Sequence, residues 1–127
     1  MTQGIGIDLV EIDRIRKTVQ RWGEKFLRKV LTAPEIDYCC RPRLKVHSIA
    51  ARFAAKEALF KSLPEALQQQ IGWRDVQVMN DASGKPFIQP VGPKSILFAG
   101  LRLHLSMSHG RDTAAAVVVC ESCGGAK

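Results

Sequence analysis

No apolar stretch in this 127-residue chain approaches the ~20 residues of a membrane span. The longest candidate, Ala114 to Cys120, has the length of a buried strand. No targeting signal is visible either. The opening Met1-Thr2-Gln3-Gly4-Ile5-Gly6-Ile7 meets an acid at Asp8 before any signal-peptide core could form. Cytoplasmic localisation is the resulting expectation. The four cysteines fall as an adjacent pair, Cys39 and Cys40, and as Cys120-Glu121-Ser122-Cys123. A zinc site wants two C-x-x-C knuckles or histidines at ligand spacing, and His47, His104 and His109 supply no such pattern. A redox C-x-x-C normally opens a helix after a strand, whereas this one lies near the carboxyl end. Free, reduced thiols are expected. There is no internal repeat and no low-complexity segment, so the length fits one domain, placed at residues 1–121 with a flexible tail from Ser122 to Lys127.

What is present is positive charge. The formal net charge is +7, carried almost entirely by the first half. Residues 1–63 have 13 basic and 7 acidic side chains, residues 64–127 only 6 and 5. Between Arg14 and Lys29 stand seven basic residues and one acid, Glu24. Arg14, Lys17, Arg21, Lys25 and Arg28 step by three or four and form one stripe on a helix. Such a surface calls for an acidic partner.

A short strand is read over residues 4–10. From Ile12 the period becomes helical, with Ile15, Val19, Trp22, Phe26 and Val30 on one face and a break at Gly23. Thr32 to Glu35 carries a capping-box signature, and the helix it opens should end near Arg41-Pro42. The best helix runs from Leu44 to Leu63, closed by Pro64. Beyond Gly72 the period is two. Val76 and Val78 mark a strand, Asn80 to Pro86 a turn, and Phe87 to Gln89 the returning strand. A short helix over Pro93 to Gly100 precedes two further strands, one centred on Leu103, Leu105 and Met107, the other Ala114 to Glu121. Helices followed by antiparallel strands give an α+β class.

Three pieces could carry chemistry. Asp8 ends a glycine-bearing strand and is either a turn aspartate or helix N-cap, or a metal-binding carboxylate. On the long helix, Arg52, Lys56, Glu57 and Lys61 lie within a few turns. They make either a solvated face with a Glu57–Lys61 pair, or a carboxylate for a hard cation flanked by cations for phosphates. Mg2+ is typically held by one or two carboxylates together with phosphate oxygens and water. His104, Ser106 and Ser108 share one face of a strand, which is either solvent-facing or the lining of a phosphate or ribose site; His109 ends it.

Together these segments resemble holo-[acyl-carrier-protein] synthases, of the 4′-phosphopantetheinyl transferases. Gly4-Ile5-Gly6-Ile7-Asp8-Leu9-Val10-Glu11-Ile12 followed by Arg14-Ile15 is similar to the family's amino-terminal motif. Arg52-Phe53-Ala54-Ala55-Lys56-Glu57-Ala58-Leu59-Phe60-Lys61 resembles its helical motif R-F-A-x-K-E-A-x-x-K. Ser83-Gly84-Lys85-Pro86 resembles its G-K-P turn, and His104 to His109 followed by Ala114 to Val119 its last hairpin. The matches run in order over residues 4–121.

The resemblance implies an antiparallel sheet packed on a long helix, assembled as a homotrimer with coenzyme A sites between subunits. It implies transfer of 4′-phosphopantetheine from coenzyme A to a serine of an acidic apo acyl carrier protein, in fatty acid biosynthesis. Adenosine 3′,5′-bisphosphate is released. It places Mg2+ on Asp8 and Glu57, and puts Lys61 on the pyrophosphate. Arg52, Gly84, Lys85, Pro86, His104, Ser106 and His109 become the coenzyme A contacts, and the basic stripe the carrier dock. The serine proton goes to Glu57 or to a metal-bound water. The competing classes are a nucleic-acid-binding module, disfavoured because the stripe is read as lacking interleaved aromatics, and a nonenzymatic scaffold. Both leave Asp8 and Glu57 without a purpose. Neither nucleic acid nor membrane is expected as a partner.

Overall fold

The computed structural model describes residues 1–123. Strand β1 (Thr2–Glu11) leads directly into helices α1 (Ile12–Trp22) and α2 (Glu24–Val30). Gly23 separates these helices with φ 53, a left-handed conformation that glycine adopts without steric cost. Ile12, Ile15, Val19 and Val30 of the expected apolar face are buried, but after the bend Leu27 takes the core position expected of Phe26, which is half-buried, and Trp22 is exposed.

Helix α3 (Ala33–Cys40) starts at the expected Thr32 cap, where the Thr32 backbone N–H donates to Glu35 Oε1 at 2.8 Å. The long helix α4 (Val46–Ser62) begins two residues later than expected. Short α5 (Glu65–Gln68) and a 3₁₀ turn at Trp73–Asp75, neither anticipated, lead to the hairpin of β2 (Val76–Asn80) and β3 (Pro86–Pro90). Pro93–Phe98 is a 3₁₀ helix, and β4 (Leu101–His109) and β5 (Thr113–Ser122) close the chain.

Two antiparallel sheets result. One has the order β1-β5-β4, the other is the β2-β3 hairpin. In the larger sheet Asp8 stands opposite Ala116 and Ala116 opposite Met107, while Ile7, Val117 and Ser106 align one residue away on the other face. The inner face packs on α4 through small residues: Ala50, Ala51, Ala54, Ala55 and Ala58 of the helix, and Ala114, Ala116, Val118 and Cys120 of β5, are all buried. The outer face is uncovered and apolar, with Ile5 64%, Ile7 61% and Leu9 67% exposed.

The proposed tail starts too early. Ser122 belongs to β5, where its N–H donates to the Met1 carbonyl at 2.8 Å, and the Cys123 N–H donates to Gly100 at 2.9 Å. The rest of that expectation, residues 124–127, lies outside the described residues.

Candidate functional site

Asp8 points inward from β1 toward α4. Lys61 Nζ lies 3.1 Å from Asp8 Oδ1 and donates also to the Ile7 carbonyl at 3.1 Å. Glu57, one turn back along α4, sits close enough to Asp8 for the two charges to act on each other. Partial desolvation first, and the Asp8 charge second, push the Glu57 carboxyl above the usual carboxylate range; Lys61 opposes them. Two carboxylates that repel, with the Lys61 ammonium paired to one of them, make a site that a cation would relieve. That donor set, completed by phosphate oxygens and water, fits Mg2+. Among the described residues no group of three or more His, Cys, Asp or Glu side chains could hold a metal by protein ligands alone.

The second group gathers at the other side of the sheet. Lys85, Pro86 and His104 line one hollow of about 310 Å³ together with Asp81, Phe87, Leu103 and Leu105. Asp81 shapes the turn, its carboxylate accepting from the Ser83 N–H at 2.9 Å and the Lys85 N–H at 3.0 Å. His104 Nε2 is 2.9 Å from Glu121 Oε1 across the β4-β5 pair. Ser106 lies on the same outer face, level with Ile7. His109, of the opposite parity, packs at a ring-centroid distance of 5.1 Å from His47 at the start of α4, away from His104.

Arg52 is only 2% exposed. Its guanidinium lies over the Tyr38 ring, 4.4 Å from the centroid, and Nη2 donates to Asn80 Oδ1 at 2.8 Å. Asn80 in turn donates to the Gly84 carbonyl at 3.0 Å, so Arg52 reaches the G-K-P turn through Asn80. Among the described residues Arg52 Nε is the one buried side-chain nitrogen or oxygen without a hydrogen-bond partner.

Lys56 requires a correction. The helical spacing grouped it with the phosphate-binding cations, but its side chain is fully buried on another side of α4. Its three donors are spent on Glu35 Oε1 at 2.7 Å and the carbonyls of Val30 and Trp73 at 2.8 Å each. No phosphate reaches it.

The basic stripe is exposed on α1 and α2. Lys17 pairs with Asp13 at 3.1 Å and Arg28 with Glu24 at 3.5 Å, while Arg14, Arg21 and Lys25 have no ion-pair partner among the described residues. The expectation of a stripe without aromatics is wrong. Trp22 is 50% exposed, with Arg21 Cζ 5.1 Å and Lys25 Nζ 5.8 Å from its ring. With Thr18, Lys25, Phe26 and Lys29 it lines a mainly apolar hollow of about 370 Å³. Spacing puts Trp22 on the Ile15–Val19 face, but as the last residue of α1 it is exposed.

Within one chain, therefore, the carboxylate group and the His104 group lie on opposite faces of the sheet, separated by β5. The order and spacing of these elements are those of a known group of proteins. Residues 4–119 match the family model described as the 4′-phosphopantetheinyl transferase superfamily. The chain belongs to it. Within the superfamily, the chain is 41% identical over 122 residues to the holo-[acyl-carrier-protein] synthase of Protochlamydia amoebophila, covering 96% of this chain and all of the relative. It is 44% identical over 124 residues to that of Halothermothrix orenii, covering 95% and 98%. Among solved structures, the holo-[acyl-carrier-protein] synthase of Neisseria meningitidis superposes with a TM-score of 0.82 at 34% identity, covering 96% of this chain and all of that one. The Bacillus anthracis enzyme, in complex with CoA (3′,5′-ADP), gives 0.80 at 33%, covering 96% and 98%. The likeness to these superfamily members extends to antiparallel sheets and helices in an α+β arrangement.

Proposed function

We propose that the chain is an Mg2+-dependent holo-[acyl-carrier-protein] synthase of the cytoplasm, acting in fatty acid biosynthesis. It would transfer 4′-phosphopantetheine from coenzyme A to a serine of an acidic apo acyl carrier protein. The observation that carries this reading is the inward Asp8 of β1, ion-paired to Lys61 and electrostatically coupled to Glu57, in a chain whose residues 4–119 match the family.

In this reading Asp8 and Glu57 hold Mg2+ together with the pyrophosphate. Bound there, the ion neutralises phosphate charge and lowers the barrier to attack at phosphorus. Lys61, anchored by Asp8 and the Ile7 carbonyl, carries its ammonium to the same oxygens. The carrier serine Oγ forms a bond to the β-phosphorus, and the P–O bond to adenosine 3′,5′-bisphosphate breaks. The leaving group departs with the electron pair. The serine proton passes to the Glu57 carboxylate, directly or through a water. Gly84, Lys85, Pro86, His104 and Ser106 would contact the nucleotide end of coenzyme A, with buried Arg52 acting on them through Asn80, whereas His109, expected among these contacts, stands on the other face beside His47. The hollow shared by Lys85, Pro86 and His104 supports three of these.

A homotrimer fits the uncovered sheet face. Ile5, Ile7 and Leu9, flanked by Val117 and Val119, form an apolar patch that monomers rarely leave open. By the family resemblance, such an assembly would place the His104 group of one subunit beside the Asp8 group of the next. Arg14, Lys17, Arg21, Lys25 and Arg28 would dock the carrier by charge complementarity, with no nucleic acid or membrane as partner. Among the described residues no helix is long and apolar enough to cross a membrane.

The test is intact-mass analysis of an acidic apo carrier after incubation with coenzyme A, Mg2+ and this protein. The carrier serine should gain one phosphopantetheine, with adenosine 3′,5′-bisphosphate in equal amount. EDTA, or the double substitution Asp8→Ala/Glu57→Ala, should prevent it. Modification that survives loss of both carboxylates would overturn the assignment.

A further inference from the structure

Two glycines of β1 face α4, and neither is there for its backbone conformation, since neither has a positive φ. Both are there for space. A β-carbon at Gly6 would lie 1.8 Å from the Ala58 carbonyl oxygen and 3.0 Å from Lys61 Cβ. One at Gly4 would lie 2.2 Å from the Ser62 carbonyl oxygen. In each case the nearest obstacle is helix backbone, which cannot rotate aside as a side-chain end can. Restoring ordinary contact, which begins at 3.4 Å, would require strand and helix to separate locally by more than an ångström at Gly6.

The two contacts differ in what they adjoin. Ala58 lies between Glu57 and Lys61 on one turn of α4. Gly6 stands two residues before Asp8 on the same face of β1. The Gly6–Ala58 contact therefore sets the distance between the strand carrying one carboxylate and the helix turn carrying the other. Gly4 meets α4 a turn further on, four residues from Asp8.

We infer that Gly6 is a positioning residue that holds the Asp8–Glu57 gap to the width of a small divalent cation. This rests on the reading of Asp8 and Glu57 as the metal-holding pair. Mg2+ demands near-ideal geometry at about 2.0–2.1 Å to each oxygen, so a gap widened by an ångström disfavours it more than a larger ion such as Mn2+.

The experiment is calorimetric titration of Mg2+ and Mn2+ into the protein with coenzyme A and no carrier, so that no turnover contributes. Gly6→Ala should weaken Mg2+ binding about tenfold or more, the scale of disturbed ligand positioning, and raise the Mn2+ to Mg2+ affinity ratio. Gly4→Ala should lower thermal stability while leaving that ratio at the parent value. If Gly6→Ala fails to fold, Ala58→Ser, which adds one atom at the fully buried Ala58, must move the ratio in the same direction. An unchanged ratio in the folded variant, or an equal change in Gly4→Ala, refutes the inference. A parent that binds neither ion with coenzyme A refutes instead the metal assignment beneath it.

Discussion

Lys56→Met should be among the most destabilising substitutions available on α4. The lysine side chain is fully buried and gives all three donors to fixed acceptors on α2, α3 and the Trp73 turn. Methionine fills much of the same volume, so little cavity opens. What is lost is charge. Glu35 keeps the Thr32 N–H at 2.8 Å and the Val78 N–H at 2.7 Å, but its carboxylate is stranded in the core. Removing one partner of a buried pair costs about 3–5 kcal/mol. For a domain of this size each kcal/mol moves Tm by roughly 3–5 °C, so a fall of about 10–25 °C is expected in calorimetry at pH 8. Lys56→Met/Glu35→Gln should recover only part of the loss, because glutamine removes the stranded charge but leaves one of the Thr32 and Val78 N–H groups facing its amide NH2; burial is the largest influence on Lys56 and pulls its pKa below the ordinary lysine range despite Glu35. The pair is therefore costly to break without being a large net gain. A Lys56→Met protein melting within a few degrees of the parent at pH 8 would refute this account.

Arg14→Glu or Arg21→Glu should raise the carrier KM severalfold and leave coenzyme A affinity unchanged. In the parent, carrier KM should rise with salt, because exposed charges are screened over about 8–10 Å near physiological ionic strength; flat salt dependence would move the dock elsewhere. Glu57→Gln should abolish carrier modification yet raise the Tm of metal-free protein at neutral pH. A carboxyl whose folded pKa lies above its unfolded value loses stability as pH climbs through that window, and glutamine removes the loss; a lower Tm at pH 7 would contradict this. Cys39→Ala, Cys40→Ala and Cys123→Ala should keep activity, with no stoichiometric zinc by elemental analysis. At pH 8 exposed Cys123 should react rapidly with a disulfide reagent, while Cys39, buried and pushed up to about 11, should not; equal rates would show that the core opens.

Local signals in the sequence were read correctly where the physics is local. The break at Gly23 follows from one residue's conformational freedom, and the α3 start from the Thr32–Glu35 pair three residues apart. Period two marked β2 and β4 because alternate side chains face the core, and β5 stood out as a continuous apolar run. The failures are contacts between residues far apart in the chain. Lys56 and Glu57 are neighbours in sequence, and only Glu35, Val30 and Trp73 decide that one is buried and the other available. Glu35 itself was legible as a cap but not as a counter-ion. Asn80 looked like turn chemistry, and its bond to Arg52 spans 28 residues. Ser122 belongs to a polar run typical of a loose end, yet it forms part of β5 and bonds to Met1. Gly4 and Gly6 read as strand alternation, with no hint of the helix carbonyls above them.

The sheet that keeps Asp8 and His104 on opposite faces also has a genetic meaning. If the exposed Ile5, Ile7 and Leu9 faces meet in a trimer, and if each coenzyme A site is built from two subunits, no chain owns a whole catalytic centre, and lesions in the two halves fall on different centres. A chain without Asp8 and a chain without His104, each inert alone, would share mixed assemblies in which some centres draw both halves from intact segments. Two loss-of-function alleles could then complement each other in one cell, while a single defective allele expressed in excess would poison its wild-type partner.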